Sequence, residues 1–338
     1  MKNIILIPPT PFEKRHYERY GIEILKKYFN VFVIDLSYWI APDTWKEFKN
    51  IYKIKNYVKI NNKKELLKIL SDIKSPIVID RIVKNRKTDW VRSVLRNKRS
   101  VFVDLKLGGL PTPKYSNFDK LKNFLKRKEN PIKLFLYLIH YFEENYYSRK
   151  VYKPSITIFG GLHSLKKSKE ENKILSHSLD YENFLKLKEK KINQSKDYAV
   201  FVDVNVPSHP DYKFLYRDQP MDFLTYYQKL NIFLKKFSKS TKMPIHFSIH
   251  PRTDSDEIKK IKTIIDSAIC SQGHTLELIK DCKCVLQHQS TTLSYAVLFK
   301  KPITILTNNE LEKSWYKGRT DSTANYFNKP VVNMDHEI

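Results

Sequence analysis

Apolar residues in this chain fall into short unbroken runs separated by longer segments with helical periodicity. Asn3 to Ile7 is the first run, and Val31 to Leu36 the second, with a helix predicted between them from about Arg15 to Tyr28. Further strands are predicted at Tyr57–Ile60, Ile77–Ile79, Ser100–Leu105 and Ser155–Phe159. Helical patterns fill the gaps at Lys63–Ile73, Thr88–Arg96 and Phe118–Leu125, and Leu175–Tyr181 leads into a helix over Tyr181–Lys190. The segment Ile132–Tyr147 is amphipathic and aromatic. It reads as a core helix, with a lipid-facing edge as the lesser reading. A polar stretch, Glu189 to Asp197, is the natural linker. The alternation then resumes with a strand at Tyr198–Val202, a helix at Asp222–Phe237 and a strand at Ile245–Ile249. A helical run ending in a short helix at Leu276–Asp281 comes next, then strands at Cys284–Gln287 and Ile303–Leu306 around one more helix. Strand, helix, strand repeated in this way predicts an α/β protein with parallel sheets. The divisions it suggests are a domain over 1–190, a second over 195–325 and a tail over 326–338.

Ligands of parallel sheets bind outside the carboxyl ends of the strands, and several polar clusters fall there. His250-Pro251-Arg252 closes the Ile245–Ile249 strand. Gln289-Ser290-Thr291-Thr292 follows Cys284–Gln287, where a helix would begin. Hydroxyls and free backbone N–H groups at such a place can hold an anion, and an Arg and a His beside them add donors and charge. Ser or Thr before a helix also serves as a plain N-cap, and His-Pro as a plain strand stop. Asp203, after Tyr198–Val202, opens a loop that continues through Pro207, His209 and Pro210-Asp211, which a Pro-rich turn would equally explain. In the first half, Asp80 and Asp104 each fall at a strand end, while His177 and Asp180 precede a helix whose start Asp180 could cap. Asp254-Ser255-Asp256 has the spacing of a metal-binding carboxylate pair, but it opens a helix and reads as an N-cap.

Composition narrows the classes. The chain has 338 residues, 41% hydrophobic and 13% aromatic, enough for two packed domains. Only 7 residues are Gly, and neither a dinucleotide fingerprint nor a P-loop is present. Three cysteines, Cys270, Cys282 and Cys284, lack further Cys or His at zinc spacing and suit a reducing cytosol. The opening MKNIILIPPTPF is broken by proline too early for a signal sequence. The net charge of +26 predicts attraction to an anionic surface. Basic and aromatic residues are not interleaved in a nucleic-acid motif, so no specific nucleic acid is expected. The cytoplasmic face of a bilayer is the other natural partner, worth about 1 kcal/mol per nearby Lys or Arg.

The order His250-Pro251, Ser290-Thr291-Thr292, helix and Lys301-Pro302 resembles the nucleotide-binding domain of GT-B glycosyltransferases. It is most similar to bacterial sialyl-, polysialyl- and Kdo transferases that use CMP-sugars. The Asp203–Asp211 loop resembles a pattern of bacterial surface-carbohydrate proteins. The resemblance covers the last third of the chain well and the rest only in layout. It implies two Rossmann-like domains in a GT-B arrangement with an interdomain cleft, and a metal-independent glycosyltransferase. The donor it implies is a nucleotide sugar, CMP-linked and carrying an acidic sugar such as Kdo or a nonulosonic acid. No other cofactor is implied. Donor-binding residues carried over are His250, Pro251, Ser290, Thr291 and Thr292, with Arg252, Asp203 and His209 beside them. The acceptor would be a glycan or lipid-linked glycan of the bacterial surface, its hydroxyl activated by a base from Asp80, Asp104, His177 or Asp180. The place of work would be the cytoplasm or the inner-membrane surface facing it. A UDP- or GDP-sugar transferase, a GT-B-like sugar-nucleotide epimerase and a basic nucleic-acid-binding protein remain as alternatives.

Overall fold

The computed structural model describes residues 1–42, 51–108, 131–188, 196–209, 212 and 218–336. The predicted helix at 118–125, most of the linker and Pro210-Asp211 lie outside that set. Two compact units divide the chain, one from Met1–Leu107 and Leu138–Leu179, the other from Gly108–Tyr137 and Asp180–Ile338.

The first unit holds a seven-stranded parallel sheet built from β1 (Lys2–Ile7), β2 (Phe29–Asp35), β3 (Tyr57–Lys59), β4 (Ile77–Asp80), β5 (Val101–Lys106), β6 (Ile156–Phe159) and β7 (Lys173–Leu175). Their spatial order is β3-β2-β1-β4-β5-β6-β7. The central strands are continuous apolar runs because helices cover both faces. Ile5, Ile7, Val78 and Phe102 pack on one side, and Ile4, Leu6, Val33 and Val103 on the other. The predicted helix over Arg15–Tyr28 is instead two short helices, Lys14–Arg19 and Ile22–Leu25. Gly21 separates them with φ of 58°, a left-handed conformation that interrupts the helical ladder. At the far edge β7 was not evident from the sequence, being only three residues long with all three exposed.

The second unit holds a six-stranded parallel sheet. Its strands are β8 (Ala199–Val202), β9 (Ile245–Ile249), β10 (Ile269–Gln272), β11 (Cys284–Gln287), β12 (Ile303–Thr307) and β13 (Val331–Asn333), in the order β10-β9-β8-β11-β12-β13. Both units are therefore Rossmann-like parallel α/β domains. The central strand β8 pairs Val202 with Ser248 of β9 and with Gln287 of β11. This register brings the carboxyl ends of three neighbouring strands level. The helix Phe223–Thr241 buries Tyr226, Tyr227, Leu230, Phe233 and Leu234 against one face, at spacings that keep one stripe inward. Its Asp222 cap accepts from the Thr225 N–H, and it ends at Lys242 in the left-handed region, two residues before Pro244. Strands β10 and β13 lie at the sheet edges. Their apolar runs are short and half-exposed, which is why the sequence pattern passed over them. Among the described residues no helix is long and apolar enough to cross a membrane.

Candidate functional site

Burial of Asp203 organises the carboxyl end of the second sheet. Its carboxylate accepts from the N–H of Asn205 at 2.9 Å, from the N–H of His250 at 3.4 Å and from the Tyr227 hydroxyl at 3.3 Å. One side chain thus ties the loop after β8, the loop after β9 and the helix Phe223–Thr241. Desolvation raises it to about 6, against the lowering effect of those donors.

His250 leaves β9 with its Nδ1 accepting from the Arg252 N–H at 3.3 Å. The Arg252 guanidinium lies 3.4 Å from Nε2 of His209, and the His209 and His250 rings stand 5.1 Å apart between centroids. Three predicted donor-binding residues, from two separate loops, therefore meet. Gln272 at the end of β10 donates its amide to the carbonyls of His250 and Thr253 and braces the same loop. That brace was not legible from sequence, because edge strand β10 carries little hydrophobic signal.

Beyond β11 the chain turns through His288 and Gln289 into Ser290–Thr292. His288 is wholly buried and pushed down to about 4 by desolvation, so it is neutral at pH 7. Its Nδ1 donates to the Leu306 carbonyl at 2.7 Å, since a carbonyl can only accept. That leaves Nε2 to accept from the Tyr226 hydroxyl at 2.9 Å. Gln289 donates to the Thr323 hydroxyl at 3.2 Å. These anchors fix the start of the Ser/Thr loop. The Ser290 and Thr292 hydroxyls are 2.8 Å apart, and Ser290 also accepts from the Thr292 N–H. Thr292 stands at the N-cap of the Leu293–Leu298 helix without a side-chain cap bond, and Thr291 is exposed. The Ser290 hydroxyl thus caps the N–H two residues on, while Thr292 makes no cap bond of its own.

Three further polar groups mark this end of the sheet. The Asn205 Oδ1, the Thr253 Oγ1 and both amide atoms of Gln287 are buried with no hydrogen-bond partner among the described residues. Asn205 and Thr253 lie in the loops after β8 and β9, and Gln287 ends β11, the three strands being adjacent. An unsatisfied buried polar group costs about 1–3 kcal/mol, so each of these atoms calls for a polar partner such as ordered water or a ligand. Asn205 also takes φ of 48°, a conformation Asn tolerates better than most residues. Sequence reasoning missed Asn205, Thr253, Gln287 and His288. The polar run Gln287-His288-Gln289 directly after an apolar strand was the available signal for the last two.

The predicted acid–base residues are scattered. Asp80 is fully buried at the end of β4 and bound by the Arg92 Nε at 2.5 Å, while the same guanidinium donates to the carbonyls of Ile82 and Val83. Asp104 in β5 lies 3.7 Å from Arg81 and 3.9 Å from Lys106. His177 is exposed. Asp180 falls in the second unit, where it accepts from the Ser294 hydroxyl at 2.6 Å, one turn past the Ser/Thr loop. Asn183 from the same helix donates to the Tyr295 hydroxyl. Asp254 accepts from the N–H groups of Asp256 and Glu257, which makes Asp254-Ser255-Asp256 the helix cap the sequence predicts. Burial pushes the thiols of Cys270 and Cys282 up to about 11 and about 12, so both stay protonated at neutral pH.

No family model matches the sequence, and no curated protein matches it. Solved structures of similar layout exist. The Methanocaldococcus jannaschii UDP-GlcNAc 2-epimerase in complex with UDP-GlcNAc and UDP is 16% identical, with 98% of this chain and 94% of that chain covered and a TM-score of 0.48. Acinetobacter baumannii MurG is 5% identical over 100% of this chain and 88% of its own, at a TM-score of 0.48. The spinosyn forosaminyltransferase SpnP is 10% identical over 98% and 86%, also at 0.48. At these identities no residue role carries over from them.

Proposed function

We propose that the chain is a glycosyltransferase of the GT-B kind that takes its sugar from a nucleotide donor bound at the carboxyl end of the second sheet. The observation that carries this reading is the gathering of His209, His250, Arg252 and the orphaned polar atoms of Asn205, Thr253 and Gln287 at three adjacent strand ends. Arg252 offers a fork of donors to a phosphate oxygen, and His250 and His209 add ring nitrogens. Ser290, Thr291 and Thr292 supply hydroxyls and N–H groups on the neighbouring loop. Asp203 acts by position, holding the His250 backbone in place. Developing charge on the leaving phosphate would then be offset by Arg252 and the loop N–H groups, in a metal-independent reaction. Activity indifferent to a chelator is the corresponding expectation.

The finer reading is a CMP-activated acidic sugar, of Kdo or nonulosonic type, delivered to a surface glycan or lipid-linked glycan at the cytoplasmic face of the membrane. A base for the acceptor hydroxyl would come from Asp104, His177 or Asp180. Asp80 is committed to Arg92 and is the weakest of the four candidates.

Thermal shift and calorimetry with CMP, CDP, UDP, GDP and a short DNA duplex test the proposal, repeated with His250→Ala. Selective stabilisation by CMP, weakened at least tenfold (about 1.4 kcal/mol) in the variant, is expected. Selectivity for UDP or GDP would overturn the donor base and keep the nucleotide site. Salt-sensitive DNA binding with no nucleotide response would overturn the reading itself.

A further inference from the structure

The helix Pro131–Tyr146 carries Ile132, Phe135, Leu136, Ile139, Phe142 and Tyr146 at spacings of mostly three and four, which line one face. All six are exposed, Ile132 at 70%, Phe135 at 64% and Phe142 at 66%. Where the helix Phe223–Thr241 turns its apolar stripe into a core, this helix turns its stripe outward. A contiguous apolar surface of this kind marks a face that is covered in use. The core reading of this segment is therefore corrected. No described side chain of the helix is buried.

Charge selects what covers it. Glu143 borders the stripe and reaches back to the protein, accepting from the Arg86 N–H at 2.8 Å at the start of the helix Arg86–Asn97. Its charge is thereby turned to the protein. Glu144 lies to the side of the stripe, within 3.9 Å of His140. The exposed Arg86, Lys87, Arg149, Lys150 and Lys153 stand on the adjoining helix start and on the segment that follows. Two copies of a chain with net charge +26 would repel when brought face to face. An anionic bilayer offers what the stripe and its flanks each need, acyl chains for the aromatic and aliphatic residues and headgroup charge for the Lys and Arg. At 16 residues the helix is about 24 Å long, too short to span the hydrocarbon.

We propose that the Ile132–Tyr146 face of this helix lies in the plane of an anionic phospholipid surface and docks the protein there. The inference does not rest on the nucleotide reading, and either can fail without the other.

Flotation with phosphatidylglycerol/phosphatidylcholine vesicles and with pure phosphatidylcholine vesicles tests it. Wild type should float with the anionic vesicles and bind neutral ones at least tenfold more weakly. Phe135→Glu/Phe142→Glu should lose at least tenfold in vesicle affinity while still binding nucleotide as wild type does. The charge-matched control Leu224→Glu/Ile232→Glu, at exposed positions of the other long helix, should float as wild type does. Phe142→Trp should add a blue-shifted emission component on vesicle addition. Equal flotation of the stripe variant and wild type would mean that charge alone binds, and would overturn the proposal. So would wild-type protein that ignores vesicles but sediments as a dimer dissociated by the stripe variant. That outcome would assign the face to a second copy.

Discussion

Asp203 and His288 are two buried titratable residues whose effects on stability run in opposite directions over the same pH range. Asp203 is raised from 3.8 to about 6, so the folded chain holds its proton more tightly than the unfolded chain does. Its contribution to stability is complete below about pH 4 and is lost as pH rises through about 6. His288 is lowered from 6.5 to about 4, so its contribution is complete above about pH 6.5 and is lost as pH falls through about 4. The two slopes oppose each other between those limits and flatten the wild-type profile. In Asp203→Asn the amide oxygen can replace only one of the two carboxylate oxygens that the Asn205 and His250 N–H groups bind, which costs stability at every pH, and the titration is gone. Relative to wild type, this variant should therefore gain on the order of 3 kcal/mol between pH 4 and pH 7. Urea unfolding at the two pH values measures the gain, and an offset that does not change with pH would refute the account of Asp203.

Among the elements, β6 is held against β5 by the absence of a side chain. A Cβ built on Gly160 would lie 2.7 Å from the Leu107 carbonyl oxygen, closer than packed atoms come. Gly160→Ala should cost about 1–3 kcal/mol, because the opposing atoms are backbone and cannot swing aside. Gly108→Ala is the control, since among the described residues nothing lies within 4 Å of its Cβ position, and it should stay within about 0.5 kcal/mol of wild type. Equal melting temperatures for the two variants would show that β6 can shift to relieve the contact. The outward stripe on Pro131–Tyr146 shows a limit of pattern reading at this scale. Its 3.6-residue periodicity specified a helix and an apolar face, but periodicity does not say whether that face meets a core or the outside.

For the whole molecule, the two sheets have separate hydrophobic cores, with Ile5, Val78 and Phe102 in one unit and Phe201, Tyr226 and Phe247 in the other. Scanning calorimetry should resolve two transitions, and a nucleotide bound by His250 and Arg252 should raise only the one belonging to the second unit, by RT ln(1 + [L]/Kd). A single transition raised as a whole would show that the two units unfold as one. Much of the architecture follows from sequence alone. The short apolar runs Ile77–Ile79, Tyr198–Val202, Ile245–Ile249 and Cys284–Gln287, alternating with helical patterns, read as strands, and the helices between them favour parallel pairing. Asp254 is a cap in sequence and in structure for the same local reason, a carboxylate two and three residues ahead of free N–H groups. The edge strands β7, β10 and β13 escaped notice because exposure removes the hydrophobic signal on which strand prediction depends. For the site, the sequence singled out His250, Arg252 and Ser290–Thr292 as candidates and placed them after strands, as the structure does. Only tertiary structure decided which of them meet. Strand order is set by the packing of helices on both faces of a sheet, and it put β8 between β9 and β11, so that His209 reaches Arg252 across 43 positions of chain. It also decided that Asp80 is spent on Arg92 and that His288 is a buried anchor, because burial and partner choice are properties of the packed molecule and leave no mark on the order of residues.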